Sequence, residues 1–185
     1  MIPILGLLVL AAYVIWVFNR LVSARNQVHV AWSDVDVQLQ RRHDLVPLLV
    51  EAVRGYMQHE AGLLERVALE RSRARDAQSI ADRGDRETAL STDLGRLIAL
   101  AEAYPELKAS ANFRQLSSQL VAVEDALAHA WRFYNGSVRE YNTDIQRFPD
   151  LLVARATGFR DADFFAAEDD ARAGVQVRLD QERPT

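Results

Sequence analysis

The stretch IPILGLLVLAAYVIWVF (2–18) runs for 17 residues without a charge, and apolar character resumes at Leu21 and Val22 beyond Asn19 and Arg20. At about 1.5 Å per residue, a helix through residue 22 spans a hydrocarbon core of about 30 Å, with Arg20 able to snorkel outward. Residues 1–24 therefore read as a single membrane anchor. Tyr13, Trp16 and Phe18 near one end suit an interfacial aromatic belt. The competing reading is a cleaved signal peptide, because Val22-Ser23-Ala24 resembles a small-residue cleavage site. A signal peptide wants a basic leading region and a shorter apolar run, and here no Lys or Arg precedes residue 20. Arg20, Arg25, Arg41 and Arg42 all follow the run, so the positive-inside rule places the N-terminus outside and the rest of the chain in the cytoplasm.

Beyond the anchor, 185 residues suffice for about one domain. Net charge is −4 with acids and bases interleaved, which leaves no basic footprint for gripping nucleic acid. The chain has no cysteine, which excludes disulfides, thiolate metal sites and thiol nucleophiles. Of the 22 basic residues only Lys108 is lysine, which reads as the bias of a GC-rich bacterial genome rather than as chemistry; the inner (cell) membrane is the location that the apolar run and its flanking arginines suggest for a bacterial chain.

Val28, Trp32, Val35, Leu39, Val46, Leu49, Val53 and Tyr56 form one apolar helical stripe that continues to Leu63 and Val67. Arg42 interrupts that stripe, and Pro47 removes a backbone donor. Asp44 stands three residues before Pro47, where it could cap a new helix. A break or sharp kink near 43–47 is expected, with an unbroken rod as the alternative. The next segment runs to about residue 80, ADRGD (81–85) reads as a turn, and a short helix follows over 86–103 until Tyr104-Pro105 stops it. The last long segment is the most regular. Phe113, Leu120, Leu127, Tyr134, Tyr141 and Phe148 recur every seven residues, with Leu116, Val123 and Ala130 as the alternating layer. No strand alternation intervenes. The fold class is therefore all-α: an N-terminal transmembrane helix followed by an antiparallel bundle of four helices over 25–165, and a flexible acidic tail over 166–185.

A search for chemistry finds no Glu-x-x-His pair for a di-metal carboxylate centre, no paired-histidine zinc motif, no phosphate-binding glycine loop and no nucleophile elbow. His29, His43, His59 and His129 lie on separate segments without ligand spacing, and read as surface or cap residues. No cofactor is expected. Arg42 must reach solvent along its stem or pair with an acid, for which Glu102 and Glu124 are candidates, because an unpaired buried charge costs several kcal/mol. Tyr134-Asn135 repeats as Tyr141-Asn142, seven residues on. The rings fall on the heptad seam, and the amides lie one step round the same face, placed to bond a neighbouring helix or its terminus and fix its register. Gly136 between them would let another backbone approach.

Taken together, RNQVHVAWSDVDVQLQRRHDLVPLLVEAVRGYMQHE (25–60), LGRLIALAEAYPELKASANFRQL (94–116), FYNGSVREYNTDIQRFP (133–149) and the Gly158-Phe159 pair resemble the LemA family across roughly residues 20 to 165. At position 48 the family commonly has asparagine where this chain has Leu48. The resemblance implies a bacterial single-pass membrane protein, N-terminus out, with a cytoplasmic helical bundle. It implies no settled activity or active site. Without a catalytic constellation, the expectation is a membrane-tethered interaction or scaffold module with a protein partner, self-association being left open. Its candidate interaction or structural residues are Arg41, Arg42, Asp44 and Pro47 at the expected break, and Tyr134, Asn135, Tyr141 and Asn142 on the last helix, for all of which stability alone is the competing account. The alternatives are a metal- or ligand-binding bundle, and an extracytoplasmic domain left after signal cleavage.

Overall fold

A computed structural model describes residues 2–165 and shows only helices and connecting segments among them. The acidic stretch 166–185 lies outside the described residues. Six α-helices follow in order: α1 (Ile2–Arg54), α2 (Ala61–Asp76), α3 (Ile80–Ala101), α4 (Pro105–Ala109), α5 (Ala111–Gln146) and α6 (Asp150–Ala156), with a 3₁₀ turn at Gln58–Glu60. The all-α expectation holds. Four longer helices make the bundle, and the two short ones close its ends.

The expected break at 43–47 is absent. α1 runs unbroken for 53 residues, about 80 Å at 1.5 Å per residue, with Pro47 inside it. Proline lacks the N–H that would bond the carbonyl four residues earlier, and here that carbonyl, of His43, accepts a 2.6 Å hydrogen bond from Arg71 Nε on α2. The lost intrahelical bond is thus replaced by a tertiary one. Asp44, rather than capping a helix, accepts from Gln40 Nε2 at 2.8 Å on the exposed face. The chain instead turns after Arg54, where the Val53 carbonyl accepts from the amides of Tyr56 and Met57.

A second correction concerns ADRGD. It lies within α3, because Ser79 caps that helix by accepting from the Asp82 amide at 3.1 Å. The cap starts the helix ahead of Gly84 and overrides that glycine's weak helix propensity.

Two apolar clusters stack along α1. The one far from the anchor joins Val46, Leu49 and Val53 of α1 to Leu63 and Val67 of α2, Leu90, Leu94 and Leu97 of α3, Leu107 of α4 and Phe113, Leu116 and Leu120 of α5. The near one joins Val17, Leu21, Val28, Val35 and Leu39 of α1 to Leu127, Tyr134, Val138, Tyr141 and Ile145 of α5, Val153 of α6 and Phe165. α5 runs antiparallel to α1: Trp131 meets Trp32, Asp144 meets Arg20, and Asp150 at the start of α6 meets Tyr13.

Anchor and bundle are therefore not separable at residue 24. Val17 and Leu21 are wholly buried by the bundle, while Ile4, Leu5, Leu7, Leu8, Val9 and Leu10 are exposed. Arg20 does not snorkel. Its Nη2 pairs with Asp150 and lies 3.4 Å from Asp144, and its guanidinium sits over Trp16.

Candidate functional site

Between the two clusters, where α1 turns Arg42 and His43 inward, polar side chains fill one layer. Arg42 is 2% exposed, His43 5% and Glu87 of α3 3%. Arg42 Nη1 donates to Glu87 Oε2 at 3.1 Å and Nη2 to Ser91 Oγ at 2.6 Å. His43 Nε2 lies 2.8 Å from Glu87 Oε1; a carboxylate only accepts, so Nε2 carries the proton. Arg42 Nε lies 3.0 Å from Glu124 Oε1, an ion pair without hydrogen-bond alignment. Burial raises the Glu124 pKa and the Arg42 charge opposes that rise.

Of the two partners expected for Arg42, Glu124 is present and Glu102 is exposed elsewhere. Glu87 is the partner the sequence reading missed. It stands three residues before Leu90 on the stripe Leu90, Leu94, Leu97, Ala101, so its spacing marked it as core-facing. His43, expected at the surface, is buried. Arg41 is exposed and reaches only Gln38 at 3.5 Å; Pro47 is exposed too. Glu87 is spent on Arg42 and His43, while Arg42 Nε and Glu124 Oε1 face each other as an ion pair without a hydrogen bond. The cluster ties α1, α3 and α5 together.

The doubled Tyr-Asn grips an extended segment of the chain instead of a neighbouring helix, correcting that expectation. Asn142 donates to the Ala162 carbonyl at 2.9 Å and accepts from the Ala162 amide at 2.8 Å. Asn135 does the same with Phe165, at 3.3 and 2.9 Å. Tyr141 donates to the Arg160 carbonyl at 2.9 Å and Tyr134 to that of Asp163 at 2.8 Å. The repeat matches because seven helical residues rise about 10.5 Å and three extended residues cover about 10 Å. Each heptad of α5 thus holds a three-residue step of 160–165, and it holds the backbone, whatever the side chains.

Both ends of this strap are fastened. At its start, Gly158 adopts φ +77°, the Phe159 amide bonds the Ala154 carbonyl at 3.0 Å and the Gly158 amide bonds that of Arg155 at 3.4 Å. This paired closure ends α6 and requires a left-handed residue, which explains the Gly-Phe pair. At its finish, the Phe165 ring stacks on Trp131 and faces Gly84, where a Cβ would lie 3.0 Å from Phe165 Cε2. The backbone approach expected at Gly136 is absent, since nothing lies within 4 Å of a Cβ there; the glycine that a neighbour crowds is Gly84, against the Phe165 side-chain ring. Burial pushes the Tyr134 phenol up to about 12 and raises that of Tyr141.

His29, His59 and His129 are exposed and apart, and among the described residues no three His, Asp or Glu side chains converge as metal ligands. At the end far from the anchor, α1 and α2 leave an apolar groove of about 430 Å³ lined by Val50, Met57, Ala61 and Leu64, with Arg54 and Glu65 at its rim.

Comparison with known proteins finds relatives similar to this chain over most of its length. The chain is 24% identical over 190 residues to magnetosome protein MamQ 2 of Paramagnetospirillum magneticum, covering 89% of this chain and 70% of the relative. To MamQ of Magnetospirillum gryphiswaldense it is 23% identical, with the same coverage. Protein LemA of Metamycoplasma hominis is 24% identical over 160 residues, covering 86% of this chain and 73% of the relative. The profile of the LemA family matches residues 31–179, spanning the Arg42–Glu87 cluster and the Tyr-Asn strap, and the chain belongs to that family.

Proposed function

We propose that this protein is a membrane-tethered, non-catalytic interaction module whose bundle faces the cytoplasm and organises another protein at the membrane. The observation that carries the reading is the shared helix. The apolar stretch long enough to cross a bilayer and the first element of the bundle core are both α1, so the bundle is held rigidly to its anchor. Loss of residues 1–24 would take Val17 and Leu21 out of the core, which supports retention of the anchor over signal cleavage. The basic residues that follow the apolar run support the cytoplasmic orientation.

The polar clusters support a structural role for the bundle interior, since Arg42, His43, Glu87 and both Tyr-Asn pairs are spent on internal bonds. Recognition then falls to the surface, where Leu48, Leu69 and Val121 are each about half exposed. That two relatives are named for the magnetosome is in keeping with work inside a larger cellular structure. A photo-crosslinking residue placed in turn at Leu48, Ala61, Leu69 and Val121 of the full-length protein in cells tests the reading. A heterologous partner captured from some positions and not others is the expected result. Crosslinks to copies of this chain alone, or none from any position, would overturn it.

A further inference from the structure

We propose that the α5–α6 corner, Phe148 through Leu152, is a second membrane contact, seated in lipid beside the last turns of the anchor. The inference rests on the reading of α1 as a membrane helix and adds to it.

Depth comes first. Asp150 accepts from Tyr13 Oη at 2.8 Å and pairs with Arg20, so the corner stands alongside the stretch of α1 from Tyr13 to Arg20. Residues 13–19 carry no charge, and Arg20, the first charge on α1, is spent on the corner itself. The face which that stretch turns outward is apolar: Val14, Ile15, Trp16 and Phe18 are 39–61% exposed. Phe148 at 77% and Leu152 at 61% are exposed at the corner that Asp150 ties to this stretch. Both are large apolar side chains left open among the described residues.

Charge comes second. Between Phe148 and Leu152 the one ionisable residue is Asp150, and it is buried against Tyr13 and Arg20. Asp144 completes the set, 3.4 Å from Arg20 and 4.0 Å from Arg147. Two arginines thus face two aspartates at this end of the bundle. Pairing of this kind lets charged groups sit at the edge of a low-dielectric medium. Trp16, packed against Tyr13 and under Arg20, matches the aromatic and basic pattern of a headgroup boundary.

The absence of native cysteine makes the test direct. Single cysteines at Leu8, Phe148, Leu152 and Val121 of the full-length chain, all exposed positions, are labelled with an environment-sensitive fluorophore. The protein is reconstituted into phosphatidylcholine–phosphatidylglycerol vesicles with or without brominated acyl chains. Quenching at 148 and 152 that approaches the level at 8 and exceeds that at 121 several-fold is the expected result. Quenching at 8 with none at 148 and 152 overturns the proposal and leaves the anchor standing. Quenching at none of the four overturns the anchor reading as well. A blue-shifted but unquenched label at 148, the mark of burial against protein, also overturns the proposal. Circular dichroism of each labelled variant, expected to match the parent, confirms that the comparison is between folded proteins.

Discussion

Glu87→Gln is the substitution that most sharply tests how the bundle interior is held. The amide keeps the size and shape of the carboxylate and removes its charge. Both groups that Glu87 meets are donors, Arg42 Nη1 at 3.1 Å and His43 Nε2 at 2.8 Å. An amide has one accepting oxygen, so its NH₂ must face one of those donors unless His43 moves its proton to Nδ1. Arg42 is left with Ser91 and a misaligned contact to Glu124, which is itself about one-third exposed. Removing one partner of a buried ion pair costs about 3–5 kcal/mol. At about 2–4 °C per kcal/mol for a chain of this size, Tm should fall by about 6–20 °C.

Thermal unfolding of the detergent-solubilised protein, followed at 222 nm, measures the loss. Arg42→Leu in the same background removes the stranded charge. The double variant should recover part of the loss, with a coupling energy of at least about 1 kcal/mol. A cost below about 1 kcal/mol for Glu87→Gln, or strict additivity with Arg42→Leu, would refute the claim that Arg42, His43 and Glu87 act as one buried, coupled unit.

Arg71→Ala should cost about 1–3 kcal/mol by orphaning the His43 carbonyl, and should cost less in a Pro47→Ala background, where residue 47 regains an N–H for that carbonyl; equal costs in both would dissociate Arg71 from the proline. Asn142→Ala removes both bonds to Ala162 and should destabilise by about 1–3 kcal/mol, with the Ala162 amide exchanging its hydrogen much faster; unchanged exchange would mean that the strap is held by other contacts. Because the Tyr134 phenol is raised to about 12 in the fold from an unfolded value near 10, its contribution is fully present below pH 10 and lost as pH rises toward 12. The alkaline fall in Tm over that window should be shallower in Tyr134→Phe, and an identical slope would contradict the assignment.

What the sequence disclosed follows from which interactions are local. The anchor, the helices and the heptad of α5 rest on periodicity within one segment. Their residues are visible, down to the drift that buries Val138 and Ile145, but not at the ends of the patterns: Tyr56 is exposed, and Phe148, expected on the seam, lies beyond α5 and is exposed too. The helix break was misplaced because the effect of Pro47 depends on Arg71, which no local pattern connects to it. Without Arg71 the His43 carbonyl would be orphaned, which is the loss that Pro47 read by itself implies. Glu87 is legible in its spacing, but an acid on a core stripe makes sense only beside Arg42, on a different helix. The Tyr-Asn repeat announced a register but not its occupant. An extended segment has no periodicity of its own, and the match of seven helical to three extended residues emerges only when both are placed together.

The central claim, a cytoplasmic bundle hung from a membrane helix that it shares, is tested most directly by cysteine accessibility in living cells. Val121→Cys in the full-length chain should resist a membrane-impermeant maleimide in intact cells, react once the inner membrane is permeabilised, and fractionate with the membrane as a chain that retains residues 1–24. Labelling in intact cells, or a soluble protein whose mature chain begins after Ala24, would contradict the account.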